Sequence, residues 1–77
     1  MELYVLTQLG RGKILPLQKS GREEEANILK LLDKAGGVTV EQVAYAMKLD
    51  ENTARDRLRS MSGKRWVWLN IIKRAPF

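Results

Sequence analysis

Two amphipathic stretches near the middle of the chain are separated by only Lys48, Leu49 and Asp50, and that spacing constrains the fold more than any other feature. The first opens with Thr39 and Gln42, three residues apart, a reciprocal capping pattern in which each side chain satisfies a backbone N–H at a helix start. Val43, Ala46 and Met47 follow on one helical face with Ala44 beside them, which predicts a helix over residues 40–48. In the second stretch Asp50 has the chemistry of an N-cap, and Glu51 complements the positive end of the helix dipole. Ala54, Leu58 and Met61, at i, i+4 and i+7, mark a buried stripe and predict a helix over residues 51–62. So short a link turns the chain sharply, so the two helices must cross.

Upstream, Ser20 and Glu23 repeat the capping spacing, and Ile28, Leu31, Leu32 and Ala35 recur at helical intervals before Gly36-Gly37. A helix is expected over residues 22–35. Glu23, Glu24 and Glu25 would fan around its first turn rather than converge, so they read as partners of the helix dipole and not as metal ligands. Residues 2–7 are rich in strand formers, Gly10-Arg11-Gly12 supplies a turn, and Lys13 to Leu17 is a second short apolar run. These features predict a strand or hairpin within residues 1–18, with Pro16 confining the second run to an edge or a non-strand extension. Beyond Ser62-Gly63, the β-branched and aromatic run Trp66 to Ile72 reads as a strand, residues 65–72 with its entry. Alternation would put Trp66 and Trp68 on one face and Val67 and Leu69 on the other. The indoles are expected to cover core or a subunit contact, with stacking on bases as the alternative.

Neither repeat nor linker interrupts the sequence, so residues 1–77 are expected to form a single α+β domain. A chain of this size buries only about 60% of the surface it exposes when unfolded. Its 44% hydrophobic and 30% charged residues fit a globular chain rather than a disordered one. The absence of Cys and His excludes disulfides, thiolate zinc sites, imidazole ligands and the usual neutral-pH general base. No nucleophile–base pair, metal cluster or phosphate loop is visible, so no enzyme activity, cofactor or metal is expected. The N-terminal residues lack a basic segment followed by a long apolar one, and no 18 apolar residues run consecutively, which implies a cytoplasmic protein without a membrane partner. Net charge is +5, and residues 50–77 alone carry +4, from seven basic and three acidic side chains. A localised basic surface suits a polyanion.

The stretch from Val38 through Val67, with the helix before it, resembles the winged helix-turn-helix superfamily of small prokaryotic and archaeal transcriptional regulators. The resemblance implies a three-helix core with a small β-sheet formed by the N-terminal and C-terminal strands. It places Ala44 where two helices cross, Leu49 as the plug of the turn, and Leu58 with Met61 as anchors of the recognition helix, residues 51–62. Gly63-Lys64-Arg65-Trp66-Val67 resembles the turn that enters the wing. Two departures stand out. Lys48 occupies a turn position where glycine is common, and only twelve residues follow Arg65, where a full wing needs two strands and a turn. Tyr4 to Thr7 with Gly10-Arg11 resembles the strand and turn that follow a wing, so the N-terminal segment is expected beside Trp66 to Leu69.

At about 100° per residue, an inward Ala54-Leu58-Met61 stripe points Asn52, Asp56 and Arg59 outward, with Arg55 on one shoulder and Thr53 and Arg57 toward the other. Arginine forks can reach guanine edges or phosphates, Asn can pair with adenine, and Thr can meet a phosphate or a thymine methyl. Asp56 would accept from cytosine or orient a neighbouring arginine. Lys64 and Arg65 are expected on backbone phosphates, with Lys73 and Arg74 as further candidates. The residues thus predict double-stranded DNA binding, sequence-specific or general, with the recognition helix in the major groove. The alternative is a winged-helix module for protein or RNA contacts, part of a larger assembly. Any homodimer would use the N-terminal segment or the Trp66/Trp68 strand.

Overall fold

The computed structural model describes residues 2–71. Strand β1 (Glu2–Leu6) is followed by helices α1 (Gln8–Arg11), α2 (Ile14–Lys19), α3 (Glu23–Ala35), α4 (Val40–Met47) and α5 (Glu51–Gly63), and by strand β2 (Val67–Ile71). The fold is α+β, with one two-stranded antiparallel sheet. Strands β1 and β2 pair in unbroken register from Glu2 opposite Ile71 to Leu6 opposite Val67. On its other edge β1 meets a single residue, Val38, whose N–H and C=O exchange hydrogen bonds of 2.9 and 2.7 Å with Tyr4. Three segments far apart in sequence therefore lie side by side, with β1 in the centre. The N-terminal strand does pack beside residues 66–69, as its sequence suggested.

The core lies between this ladder and the three longer helices. Ile28, Leu29 and Leu32 from α3, Val43 from α4, Ala54, Leu58 and Met61 from α5, and Val38 and Val67 from the extended segments are almost wholly buried. The stripe expected on residues 51–62 is thus the inward face of α5. On α3 the buried face is rotated slightly from expectation: Ala26 and Leu29 join Ile28 and Leu32, Leu31 is half-buried, and Ala35 is exposed. Ala46 of α4 is likewise exposed, because Val40, Val43 and Ala44 form the face that meets the core.

The hairpin expected within residues 1–18 does not form; only its first strand does. Residues 8–11 and 14–19 are helical instead. Thr7 caps α1 by accepting from the Gly10 N–H at 3.0 Å. Pro16 fits α2 because it stands in the first turn, where backbone N–H groups have no partner within the helix. Ile14 and Leu17, three residues apart, then turn one face of α2 toward the core. This helix also takes Ser20 away from its expected capping role. Ser20 Oγ donates to the Leu17 carbonyl at 3.1 Å, Gly21 adopts φ +83°, and α3 starts behind Arg22 with no side-chain cap. Strand β2 starts at Val67 rather than at residue 65, since Lys64 to Trp66 form a bend in which Arg65 has φ +63°. Ile72, Lys73 and Arg74 lie outside the described residues.

Candidate nucleic-acid interface

The candidate surface is built on α4, the turn and α5. The capping pair of α4 is present in full: the Thr39 N–H donates to Gln42 Oε1 at 2.9 Å, and the Gln42 N–H donates to Thr39 Oγ1 at 3.2 Å. Helix α4 ends at Lys48 in the left-handed conformation, φ +56° and ψ +45°. Leu49 N–H then returns to the Ala44 carbonyl at 2.9 Å, which reverses the chain within the three residues available. Ala44 is buried and Leu49 half-buried. Asp50 caps α5, accepting from the Thr53 N–H at 2.8 Å and from the Thr53 hydroxyl at 2.9 Å. The bond from the Thr53 backbone, seconded by that from its hydroxyl, holds the Asp50 carboxyl below its ordinary range.

The eight residues singled out from sequence separate into groups. Asn52, Asp56 and Arg59 are exposed on the outward side of α5, with Arg55 half-buried at its shoulder. None of these four side chains takes part in a hydrogen bond or ion pair among the described residues. Arg57 and Thr53 are differently engaged. Arg57 Nε donates to Glu24 Oε1 of α3 at 2.7 Å, and that bond, together with the carboxylate's charge, raises the guanidinium pKa further. The reason is rotational: Arg55 and Arg57 stand about 200° apart around the helix, so they lean to opposite flanks. Arg57 meets the acidic first turn of α3. Arg55 instead lines a shallow depression with Glu2, Thr39, Val40 and Glu41. Thr53 serves the cap, leaving its methyl as its free chemistry.

Lys64 and Arg65 lie beyond the far end of α5, about 18 Å along the axis from Asn52. They extend the surface past Arg59 rather than gathering beside Asn52. The Lys64 ammonium sits 4.6 Å from the centre of the Trp66 ring, a cation–π distance. Thr7 fixes the bend from the other side, its hydroxyl lying 2.6 Å from the Arg65 carbonyl and 2.9 Å from that of Trp66. The two indoles consequently do not share a face. Trp66, in the bend, is buried, whereas Trp68, within β2, points outward and is 67% exposed.

Sequence reasoning passed over Lys48 and Tyr45 as members of this surface. Both are exposed on the turn side of α4, and Tyr45 at 89% is the most exposed large apolar side chain described. Lys48 had a legible signal, a basic residue where the turn favours glycine. The Glu24–Arg57 pair had none, because 33 residues separate its partners. Among the described residues no group of acidic side chains could hold a metal ion, and no helix is long and apolar enough to cross a membrane. Compared with known proteins, the chain matches no family model, and no curated protein or solved structure shows significant similarity to it.

Proposed function

We propose that the chain is a winged helix-turn-helix protein that binds double-stranded DNA through α5 and works in the cytoplasm as a small transcriptional regulator. The observation that carries this reading is the outward face of α5: Asn52, Arg55, Asp56 and Arg59 lie within about 100° of arc, without a described partner. Unlike Arg57, which Glu24 holds, neither Arg55 nor Arg59 makes an ion pair among the described residues, and Arg55 shares its depression with Glu2 and Glu41. The sheet supports the fold assignment. Strand β1 stands beside β2 as its antiparallel partner, as the second strand of a small sheet. In this arrangement α5 enters the major groove, Arg55 and Arg59 reach base edges or phosphates, Asn52 is placed for an adenine, and Lys64 with Arg65 holds backbone phosphate beyond the helix.

The test is duplex affinity measured across a salt series. Arg55→Ala with Arg59→Ala should weaken binding and flatten the dependence of log affinity on log salt by about 0.9 for each phosphate that is no longer neutralised. Arg57→Ala should change that slope far less, because its guanidinium is held by Glu24. Unchanged affinity in the Arg55/Arg59 double variant, with its fold intact by circular dichroism, would overturn the assignment. A second reading, an interaction module for protein or RNA, is favoured by one feature, the outward Trp68.

A further inference from the structure

Arg55 is set apart from the other arginines of α5 by its neighbours. It lines a shallow depression with Glu2, Thr39, Val40 and Glu41, residues from the start of β1 and the start of α4. The backbone bridge between Tyr4 and Val38 brings these segments together, because the two run antiparallel from it: Glu2 lies two residues before Tyr4, and Val40 two residues after Val38. Glu41 follows in the first turn of α4, which the reciprocal Thr39 and Gln42 bonds hold in place. Two carboxylates carried on ordered elements thus stand at one depression with a half-buried arginine, and none of the three makes an ion pair among the described residues. Arg57 shows the contrasting case, since Glu24 touches it at 2.7 Å and occupies its Nε. Glu2 and Glu41 set the potential around Arg55 while leaving its fork free.

We propose that Glu2 and Glu41 make Arg55 the base-reading residue of α5, by repelling backbone phosphate from its guanidinium while leaving a base edge free to approach. This role rests on α5 entering the major groove, and it narrows the proposed binding from general to sequence-specific. The physical ground is the difference between a charge and a dipole. Two carboxylates against one guanidinium leave the depression with a net charge of −1, and a phosphate docked on Arg55 would bring a further full negative charge to it. Charges this close lie within the screening length of about 8 Å at physiological salt, so the repulsion persists there. Guanine N7 and O6 offer the same fork two acceptors on a base without net charge, and the carboxylates oppose that contact far less. Specificity is a difference between affinities, so weakening the unwanted contact widens it as well as strengthening the wanted one does. Arg59, exposed one turn further along α5, is left with Lys64 and Arg65 for the phosphates.

Selection by the full chain from a pool of random duplexes, followed by affinity across a salt series for the enriched duplex and a scrambled one, tests this. A sequence with a fixed guanine should be enriched. Arg55→Ala should weaken binding to the enriched duplex by about 10–100-fold, leave its salt slope unchanged and remove the preference at that guanine. Glu2→Gln with Glu41→Gln should act in the other direction. Affinity for the scrambled duplex should rise by about 10-fold and its salt slope steepen by about 0.9, as Arg55 takes up a phosphate, while affinity for the enriched duplex rises by no more than about 3-fold. Duplex binding without an enriched sequence, an equal gain on both duplexes in the Glu2/Glu41 variant, or a flatter slope in Arg55→Ala would each overturn the role of Arg55 and leave DNA binding by α5 standing. Absence of binding to any duplex would overturn both.

Discussion

Lys48 shows how much a single backbone angle can reveal. Its φ of +56° puts a side chain with a Cβ in the left-handed region, which costs an L residue roughly 1–2 kcal/mol relative to its right-handed conformation. Glycine would remove that strain, though its greater freedom when unfolded takes back part of the gain. Lys48→Gly is therefore expected to stabilise the protein by about 0.5–1 kcal/mol, measured as a rise in the denaturant midpoint with unchanged slope. A lower midpoint would mean that the lysine side chain contributes more to the fold than its exposure suggests. The tightness of this turn was legible in the sequence, since only three residues were available between two capped helices. The second left-handed residue, Arg65, was not legible. Its conformation follows from the Thr7 hydroxyl against the Arg65 and Trp66 carbonyls, an interaction between segments 58 residues apart in sequence.

At the scale of elements, periodicity and capping located α3, α4 and α5 because each carries an apolar face of several turns and its own start or stop signals. The Ala54-Leu58-Met61 stripe of α5 is buried to 1% exposure or less. Leu58→Ala should accordingly cost about 2–5 kcal/mol, the sum of the forfeited apolar transfer and the cavity left behind. Chemical denaturation checks this, and a loss under about 1 kcal/mol would mean that the site collapses around the smaller side chain. The short α2 escaped the same reasoning. Its six residues offer only Ile14 and Leu17 as a repeat, and Pro16 suggests an edge strand unless its place in a first turn is known. Once α2 forms, Ser20 closes that helix and is lost to α3, which starts behind Arg22 without a side-chain cap.

Across the whole molecule, the sheet joins the two ends of the described chain. Residues 2–6 pair with residues 67–71, and every helix lies in the sequence between them. Composition and local pattern could place strands at both ends, but the site's flanks depend on contacts that only the closed chain makes. Arg57 is drawn to α3, Arg55 lines one depression with Glu2 and Glu41, and Lys64 and Arg65 are set by a bend that the N-terminal segment holds. Gly10 sits where that closure is tightest. It is buried against the bend, and a Cβ there would collide with the Trp66 carbonyl oxygen, lie 2.8 Å from its carbon and crowd Leu6 Cδ1 at 2.9 Å. Backbone on one side leaves little room to yield, so Gly10→Ala should destabilise the fold by about 2–3 kcal/mol. Gly12→Ala, with its nearest neighbour at 3.5 Å, is the matched control and should change stability by no more than about 0.5 kcal/mol. Because Gly10 holds the corner between β1 and α1 against the turn into β2, its replacement should also speed amide exchange at both Thr7 and Trp68, whose N–H groups point across the β1–β2 pairing. Faster exchange confined to α1 would instead place the strain within that helix and leave the closure of the sheet intact.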